Sequence, residues 1–472
     1  MKSRFAFLLL SVASAREILA QGRPIDWPVF AGDAQRTGWE KTDSRITRDN
    51  VKDFQLVLKQ KLDKARSLSA PVVIGLLISY RGFKELAFVS GSSGSMWALD
   101  ADLERVFWST GGAGPWPVRR CSAAATPALI PPHNFAAPRP KTTTDEPPKP
   151  AAPAYLNPAG FGAPRPVFTL ASDGKLHVLN TSNGEDLAPA VQFVPAGAKA
   201  SSLTFADGFL YTTTSGKCGG VPDAVWALDL STTAPPVTFA PPAGGLPELG
   251  GLALGTDGMT IYTRTGDGSV LALSAKELKL LQSYTANSKK GLNSPAPVVF
   301  SYKEHDVIAS ATEDGRLLLL DSQSLATPLF QTEPLMASGK VWGGLSTWQD
   351  KDGTRWIYAP VWGASGAGSL VALKLEERDG KPVLTKAWTS EEMNSPEPPV
   401  ITGGMVFALS AGNKSTHATL YAFDAATGQE MYSTKDQVTS PGSLSGLTLA
   451  NGRVYFTTVD NTLWAFGVYL ER

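Results

Sequence analysis

A short pattern of apolar residues recurs along the chain. It consists of an apolar run, a turn containing Gly or Asp, and a second apolar run ending in a sequence such as Trp97–Asp100. Eight copies of this ending occur, at residues 97–100, 177–180, 226–229, 271–274, 318–321, 371–374, 421–424 and 464–467. Their spacing is roughly 43 to 53 residues except for one interval of about 80, which is typical of four-stranded propeller blades.

Each copy divides into four predicted strands, A to D from the centre of the ring outwards. In the first copy they span Pro71 to Ile74, Leu86 to Ser90, Ser95 to Asp100 and Glu104 to Ser109. Asp-Gly dipeptides supply the positive φ that a tight B–C hairpin needs, and they occur at 173–174, 267–268 and 314–315. The continuous apolar run Leu317 to Leu320 predicts a strand that is covered on both faces.

The eighth copy leaves little sequence for its own outer strand, whereas Phe54 to Leu62 is predicted as a strand outside any copy. We therefore predict that the N-terminal strand completes the eighth blade, since this removes a free sheet edge. The predicted fold is all-β, a single eight-bladed propeller of four-stranded antiparallel blades over residues 21–472. Two unrelated β-sandwiches are the alternative, but they would not explain why one sequence pattern is repeated eight times.

A proline-rich segment, residues 131–166, accounts for the long interval between the first two copies. It falls between strands A and B of the second blade, and its composition predicts an extended loop rather than a packed element. We favour a tolerated surface insertion over an arm that binds a partner.

The N-terminus has the pattern of an export signal. Lys2 and Arg4 precede the apolar stretch Phe5 to Ala15, which is too short to span a bilayer. We predict a signal peptide over residues 1–20, with cleavage after Ala15 or Ala20; a buried N-terminal strand is the alternative. No cysteine follows the apolar stretch for a lipid anchor, so we expect a periplasmic or secreted protein.

Charge and composition exclude several classes of protein. The chain has 43 Lys+Arg and 43 Asp+Glu, so it lacks the basic excess that binding to nucleic acid requires. With 45 Gly and 35 Pro among 472 residues, it is too rich in turn formers for a helical solenoid. No apolar run of 18 residues follows the N-terminus, so we predict no transmembrane segment. We expect a monomer.

The blades resemble the repeat of the PQQ-binding-like β-propeller proteins (PQQ is pyrrolo-quinoline quinone). In that repeat Ala-x-Asp precedes Thr-Gly and an aromatic residue, and this chain matches it best at Ala422, Asp424, Thr427, Gly428 and Tyr432, and more loosely at Ala98, Asp100 and Trp108. The segments 26–28, 32–33 and 37–38 also resemble the start of exported members. The resemblance implies that the outer-strand aromatic packs against the neighbouring blade.

The same resemblance implies two kinds of function. The family includes quinoprotein dehydrogenases and outer-membrane assembly scaffolds that bind no cofactor. Many of the dehydrogenases have adjacent cysteines near the quinone, whereas Cys121 and Cys218 are far apart, and no Cys-x-x-Cys-His haem motif is present. We therefore favour a non-catalytic scaffold that binds a protein or small ligand. The alternative is an alcohol or sugar dehydrogenase using PQQ and calcium. We assign no catalytic residue, and none of the four histidines has metal-ligand spacing.

Candidate site residues lie in connections that meet at one end of a propeller, where the D–A and B–C connections both open. Three B–C connections are long: 214–224, 362–368 and 411–419. Aromatic and polar residues in these connections predict a ligand site at the funnel end, and the candidates are Trp116, Arg119, Arg120, Asn293, Trp342 and Trp362. The alternative is that the tryptophans only cap the central channel.

The two cysteines lie in connections that should open on this same end. Cys121 is in the D–A connection after the first blade, and Cys218 is in the long B–C loop of the third. Because export provides an oxidising environment, we predict a disulfide between them that holds the rim loop. Two unpaired, buried thiols are the alternative.

Overall fold

The computed structural model is all-β and forms a ring of eight blades. It describes residues 23–62, 67–79, 82–92, 94–111, 124–131, 153–156, 165–286, 295–363 and 365–468. Within these ranges the only helical elements are short 3-10 turns, at Val51–Asp53, Ala154–Leu156, Cys218–Gly220 and Lys435–Gln437. The predicted fold class is therefore confirmed. The predicted signal peptide lies outside the described residues.

The first four blades follow one another along the chain. Blade 1 consists of β2 (Val72–Ser79), β3 (Gly82–Ser90), β4 (Met96–Asp100) and β5 (Arg105–Thr110). Blade 2 consists of β6 (Ala128–Leu129), β7 (Pro166–Leu170), β8 (Lys175–Asn180) and β9 (Val191–Gln192). Blade 3 consists of β10 (Thr204–Ala206), β11 (Phe209–Thr214), β12 (Ala224–Asp229) and β13 (Val237–Phe239). Blade 4 consists of β14 (Ala253–Leu254), β15 (Thr260–Arg264), β16 (Val270–Ser274) and β17 (Leu280–Tyr284).

The remaining blades repeat this order, with one elaboration. Blade 5 consists of β18 (Val298–Tyr302), β19 (His305–Ala311), β20 (Leu317–Asp321) and β21 (Phe330–Gln331). Blade 6 has six segments: β22 (Lys340–Val341), β23 (Ser346–Gln349), β24 (Arg355–Trp362), β25 (Ala367–Arg378), β26 (Lys381–Thr389) and β27 (Met393–Asn394). Blade 7 consists of β28 (Val400–Thr402), β29 (Met405–Ser410), β30 (Thr419–Asp424) and β31 (Glu430–Ser433). Blade 8 combines β32 (Thr448–Ala450), β33 (Arg453–Thr457) and β34 (Thr462–Gly467) with β1 (Gln55–Lys61).

The N-terminal strand closes the ring as predicted. Strand β1 pairs antiparallel with β34, from Gln55 opposite Gly467 to Lys61 opposite Thr462. The outer position of blade 8 is thereby filled by the opposite end of the chain, so that β34 has a partner on both sides. Closure therefore depends on pairing between residues about 400 positions apart in sequence.

Apolar contacts between adjacent blades form the core. The run Leu317 to Leu320 is fully buried, as the sequence predicted; Leu317 and Leu319 pack toward blade 6, and Leu320 packs toward blade 4. Outer-strand tryptophans also link blades. Trp108 Nε1 donates to Thr181 O of blade 2, and a Cβ at Gly184 would lie 2.6 Å from its ring. The glycine thus allows the indole to approach the next blade closely.

A feature that the sequence did not predict is a segment that fills the central channel. Residues 25–40, here called the channel segment, make backbone hydrogen bonds to inner strands of six blades. In each case the bonded residue is the second residue of its strand: Val73, Leu129, Leu254, Val299, Thr347 or Ile401. The segment therefore lies at one level across the ring and pairs with inner-strand backbone groups that otherwise have no neighbouring strand.

Arg36 holds the channel segment from within. Its side chain is 2% exposed, and its guanidinium donates to the carbonyls of Phe30, Gly250 and Leu252 at 2.7 to 2.8 Å. It also donates to the hydroxyls of Ser202 and Thr204. Burial lowers the pKa of Arg36 to about 9. One side chain thus donates hydrogen bonds to carbonyls of the channel segment and of the connection that leads into blade 4.

No helix among the described residues has the length and apolar character needed to cross a bilayer.

Replacing Arg36 with Met should destabilise the protein by about 3 kcal/mol or more, because the carbonyls of Phe30, Gly250 and Leu252 would lose a buried donor. Urea unfolding followed by tryptophan fluorescence measures this change. The control is Arg48→Met: Arg48 is 53% exposed and pairs with Asp424, so the expected cost is below about 1 kcal/mol. Equal costs for the two variants would contradict the assigned role of Arg36.

Candidate functional site

A cavity of about 390 Å³ opens at the end of the ring where the inner strands begin. Its walls come from the segments that precede the inner strands of blades 1, 2, 3, 4 and 8, together with two tryptophans of blade 6. This is the end at which the sequence predicted the D–A and B–C connections to converge. The volume falls within the range of small-molecule sites in proteins.

Two stacked indoles form the blade 6 wall. The rings of Trp342 and Trp362 are 4.7 Å apart with an interplanar angle of 11°, and both are partly exposed. Trp362 Nε1 donates to Pro396 O at 2.7 Å, which fixes its orientation. Trp342 lies where the inner strand is interrupted between β22 and β23, next to Gly343 at φ +73°. The interruption brings the Trp342 ring to the cavity.

Hydroxyl groups form the opposite wall, on blades 1 to 3. Ser69 Oγ donates to Ala70 O and accepts from the backbone N–H of Ser90. Ser202 Oγ donates to Gly250 O and accepts from Arg36. Because a hydroxyl has two lone pairs and one hydrogen, each serine keeps one acceptor position. Both serines are buried, at 1% and 3% exposure, so these hydrogen bonds fix the wall and do not by themselves show an acceptor that a ligand could reach.

Phe30 of the channel segment packs against a residue that lines the cavity. Phe30 clusters with Ala31, Ala70 and the partly buried Leu249, which also lines the cavity. The ring of Phe30 packs closely against Gly446, where a Cβ would lie 2.6 Å from the ring. The channel segment thus contacts the cavity lining through the packing of Phe30 on Leu249.

The charged side chains at the cavity are an ion pair. Lys199 Nζ lies 2.7 Å from Glu248 Oε2, with side chains 25% and 37% exposed. The pair joins the connections that lead into blades 3 and 4. Their charges cancel, so the described lining has no net charge.

Glu397 is a buried carboxylate beneath the blade 8 wall. It is 1% exposed, and it accepts the backbone N–H of Gly446 at 2.6 Å and that of Leu444. Leu444 lines the cavity and has φ +56°, a left-handed conformation that is costly for leucine. Burial raises the pKa of Glu397 from 4.5 to about 7, and the two hydrogen bonds oppose this shift. Through these two hydrogen bonds Glu397 holds the part of the blade 8 wall in which Leu444 has a strained backbone conformation.

The structure brings together two of the predicted site residues, Trp342 and Trp362. The other candidates, Trp116, Arg119, Arg120 and Asn293, lie outside the described residues. That these residues bind a ligand stays a prediction. Cys218 is buried in its predicted rim loop, but Cys121 also lies outside the described ranges, so the disulfide remains a prediction as well.

Sequence reasoning missed most of the remaining lining. Ser69, Ser202, Lys199 and Glu248 occupy ordinary-looking connections, and Glu397 stands in a proline-rich stretch that carries no motif. Only their position shortly before an inner strand marks them, since these segments lie at the end of the ring where the cavity opens. Among the described residues, no cluster of three or more His, Cys, Asp or Glu side chains could hold a metal ion.

Comparison with known proteins supports the predicted resemblance. The family model described as outer membrane protein assembly factor BamB matches residues 367–468, which run from β25 to the end of blade 8. No curated protein matches the chain.

Similar solved structures cover most of the chain. Quinohemoprotein alcohol dehydrogenase from Comamonas testosteroni is 14% identical, with a TM-score of 0.61 over 95% of this chain and 81% of that one. A europium-containing methanol dehydrogenase is 12% identical, with a TM-score of 0.62 over 96% and 99%. BamB from Moraxella catarrhalis is 14% identical, with a TM-score of 0.50 over 89% and 99%. At these identities the similarity establishes the fold: the chain resembles PQQ-type β-propeller proteins.

Glu397 should make stability depend on pH in a defined direction. Its pKa is raised in the folded protein, so between pH 4.5 and about 7 the unfolded chain ionises while the folded protein keeps the proton. The stability contributed by the protonated carboxyl is complete below pH 4.5 and is lost as pH rises through 7. Relative to Glu397→Gln, the wild type should lose about 3 kcal/mol across this window.

Urea unfolding from below pH 4.5 to above pH 7 measures this difference. The control is Glu185→Gln at an exposed position, which leaves the Glu397 carboxyl in place and should therefore keep the loss of stability between pH 4.5 and about 7. A Glu397→Gln profile that is also parallel to the wild type would show that Glu397 does not titrate in this window.

Proposed function

We propose that this protein is a non-catalytic binding protein whose funnel-end cavity takes a small uncharged ligand. The observation that carries the proposal is the cavity of about 390 Å³, lined by the stacked indoles of Trp342 and Trp362 and by the Lys199–Glu248 ion pair. Convergent polar groups in an otherwise apolar concavity are the general mark of a ligand site. The lining is also fixed before binding, since Ser69, Ser202 and Trp362 are each held by hydrogen bonds to the protein.

A quinoprotein dehydrogenase using PQQ and calcium is the second candidate, favoured by the stacked indoles and by the dehydrogenases of similar fold. The described residues do not fit this cofactor well. PQQ carries several carboxylates, whereas the cation of the described lining, Lys199, is already paired with Glu248. The described side chains also provide no cluster of acidic ligands for calcium.

The cellular setting is part of the same proposal. We infer an exported protein from the charged and apolar pattern of residues 1–20. The match to a model described as an outer membrane protein assembly factor supports an envelope location, and it raises a protein partner as the other occupant of the funnel end. A segment of such a partner would have to enter a cavity of about 390 Å³, and a cavity of this volume suits a small molecule better.

Saturation-transfer NMR with a panel of uncharged compounds tests the proposal; the panel comprises hexoses, N-acetylhexosamines, aromatic alcohols and capped dipeptides. We expect at least one class to bind at millimolar concentration. Trp342→Ala should abolish or strongly weaken that binding, because it removes the aromatic wall. The matched control is Trp108→Phe, an indole on the outer strand of blade 1 that should leave binding unchanged.

A second arm tests the dehydrogenase. The protein is incubated with PQQ and calcium, passed through a desalting column, and assayed for quinone absorbance and for dye reduction with alcohols and sugars. We expect neither retained quinone nor turnover. Retention with turnover would overturn the non-catalytic proposal in favour of the second candidate.

A further inference from the structure

We propose that Arg355, together with Lys41 and the ring of Trp39, forms a second binding site that takes a carboxylate group. The site lies at the end of the ring opposite the cavity, because Arg355 begins β24 where the inner segment β23 ends at Gln349. It does not depend on the function proposed for the cavity. Three observations carry it: the state of the Arg355 guanidinium, the rings that hold it, and a second cation beside one of those rings.

The guanidinium of Arg355 has no acidic partner in the described parts of the chain. Its one hydrogen bond there runs from Nη2 to Gln349 Oε1, at 3.3 Å. The side chain is only partly exposed, and burial lowers its pKa to about 10. By contrast, the buried guanidiniums of Arg45 and Arg453 lie 3.2 Å from carboxylates. The partial desolvation of Arg355 is thus not offset by an anion of the described chain.

One edge of this guanidinium is available to a ligand. A guanidinium has two edges that bind a carboxylate bidentately, and each edge uses one hydrogen of Nη2. The bond to Gln349 takes one of these two hydrogens, so the other edge stays intact. Nε and Nη1 of Arg355 donate to no described group, and both keep contact with solvent. Two parallel N–H groups at such an edge match the two oxygens of one carboxylate.

Two aromatic rings hold the guanidinium in place. Its Cζ lies 5.1 Å from the centroid of the Phe300 ring and 5.9 Å from that of the Trp39 ring. Phe300 is buried in the inner strand of blade 5, whereas Trp39 belongs to the channel segment and pairs with Ile401 of blade 7. Cation–π contacts orient a guanidinium without using its N–H groups. The fold thus positions Arg355 before a ligand binds, which lowers the entropic cost of binding.

A second cation lies beside the same indole. Lys41 is exposed, and its Nζ is 4.9 Å from the centroid of the Trp39 ring. The carboxyl that Lys41 acts on electrostatically is Asp33, whose pKa is raised by burial and which accepts from the backbone N–H of Thr37. Within the described ranges Lys41 forms no ion pair. Lys41 and Arg355 therefore leave a surplus of positive charge around Trp39 that a ligand carboxylate would neutralise.

The carboxylate of the neighbouring hairpin is already occupied. Asp350 accepts from Nε1 of Trp356 at 2.9 Å, and also from the backbone N–H groups of Asp352 and Thr354. These bonds stabilise the turn that connects β23 to β24 and direct the carboxylate toward the hairpin itself. Asp350 therefore does not pair with Arg355.

A carboxylate suits this site better than a phosphate. The edge of Arg355 offers one bidentate contact, and rings rather than further donors flank it. A phosphate would leave other oxygens against apolar walls without donors, at a cost. A carboxylate has only two oxygens, and its apolar substituent can lie against the exposed part of Trp39. The carboxylate can come from a small molecule or from the C-terminus of a polypeptide, and the test distinguishes these sources.

Saturation-transfer NMR with benzoate at low ionic strength tests the site, with benzamide as the uncharged analogue. We expect benzoate to bind at millimolar concentration and benzamide to show no binding. Arg355→Met should weaken the affinity for benzoate about tenfold or more, through loss of a charge-assisted bidentate contact. The matched control is Arg378→Met on the same blade. Arg378 is 64% exposed and pairs with Glu376, so this change removes the same charge and should leave affinity unchanged.

Two further variants keep the test decisive. Lys41→Met changes an exposed side chain and should weaken the affinity for benzoate about threefold, as expected for an exposed charge. Trp342→Ala alters only the cavity at the other end of the ring and should leave the affinity for benzoate unchanged. Circular dichroism and thermal unfolding of each variant verify that it is folded.

The outcomes are distinct. If benzoate does not bind, or binds equally to the wild type and to Arg355→Met, the inference is overturned. If inorganic phosphate displaces benzoate more effectively than acetate does at equal ionic strength, the carboxylate class is wrong. A peptide with a free C-terminus that binds more tightly than both its C-terminal amide and benzoate would support the site and assign the carboxylate to a protein partner. Weaker binding of the peptide than of benzoate would support a small-molecule carboxylate.

Discussion

The structure depends on how the backbone N–H and C=O groups of its inner strands find hydrogen-bond partners. Eight blades arranged in a ring leave an inner strand on each with no neighbour toward the axis, and their N–H and C=O groups need partners. The channel segment supplies these partners at one level, from Val73 of blade 1 to Ile401 of blade 7. Arg36 fixes the segment through the carbonyls of Phe30, Gly250 and Leu252.

Ring closure uses a second kind of interaction, a buried polar network between blades 8 and 1. Glu85 accepts from Asn451 and Tyr455 and lies 3.2 Å from the guanidinium of Arg453, which also pairs with Asp102. Burial raises the pKa of Glu85, whereas Arg453 opposes that shift. Such networks are costly to break, because a buried charge would lose its partner. Together with β1, the network joins residues from the two ends of the chain, so closing the ring is coupled to folding the whole domain.

The lining of the cavity comes mainly from residues that precede the inner strands. The blade framework is similar in proteins described as dehydrogenases and in BamB, so the framework alone does not choose between catalysis and binding. In this chain those positions carry the Lys199–Glu248 ion pair, and the indoles of Trp342 and Trp362 complete the lining from blade 6.

The sequence by itself determined the framework. The blades were predicted from eight copies of one apolar sequence pattern and from Asp-Gly hairpins, because strand patterning and tight turns are local properties. Closure of the ring was predicted from the unassigned strand at Phe54–Leu62. The sequence also placed Trp342 and Trp362 at the correct end of the ring. Only the tertiary structure decided the rest. Arg36 contacts Ser202 and Gly250, which lie 166 and 214 positions away, and Glu397 contacts Gly446, which lies 49 positions away. No local pattern encodes such contacts, since a buried polar side chain is defined by the partner that the fold brings to it.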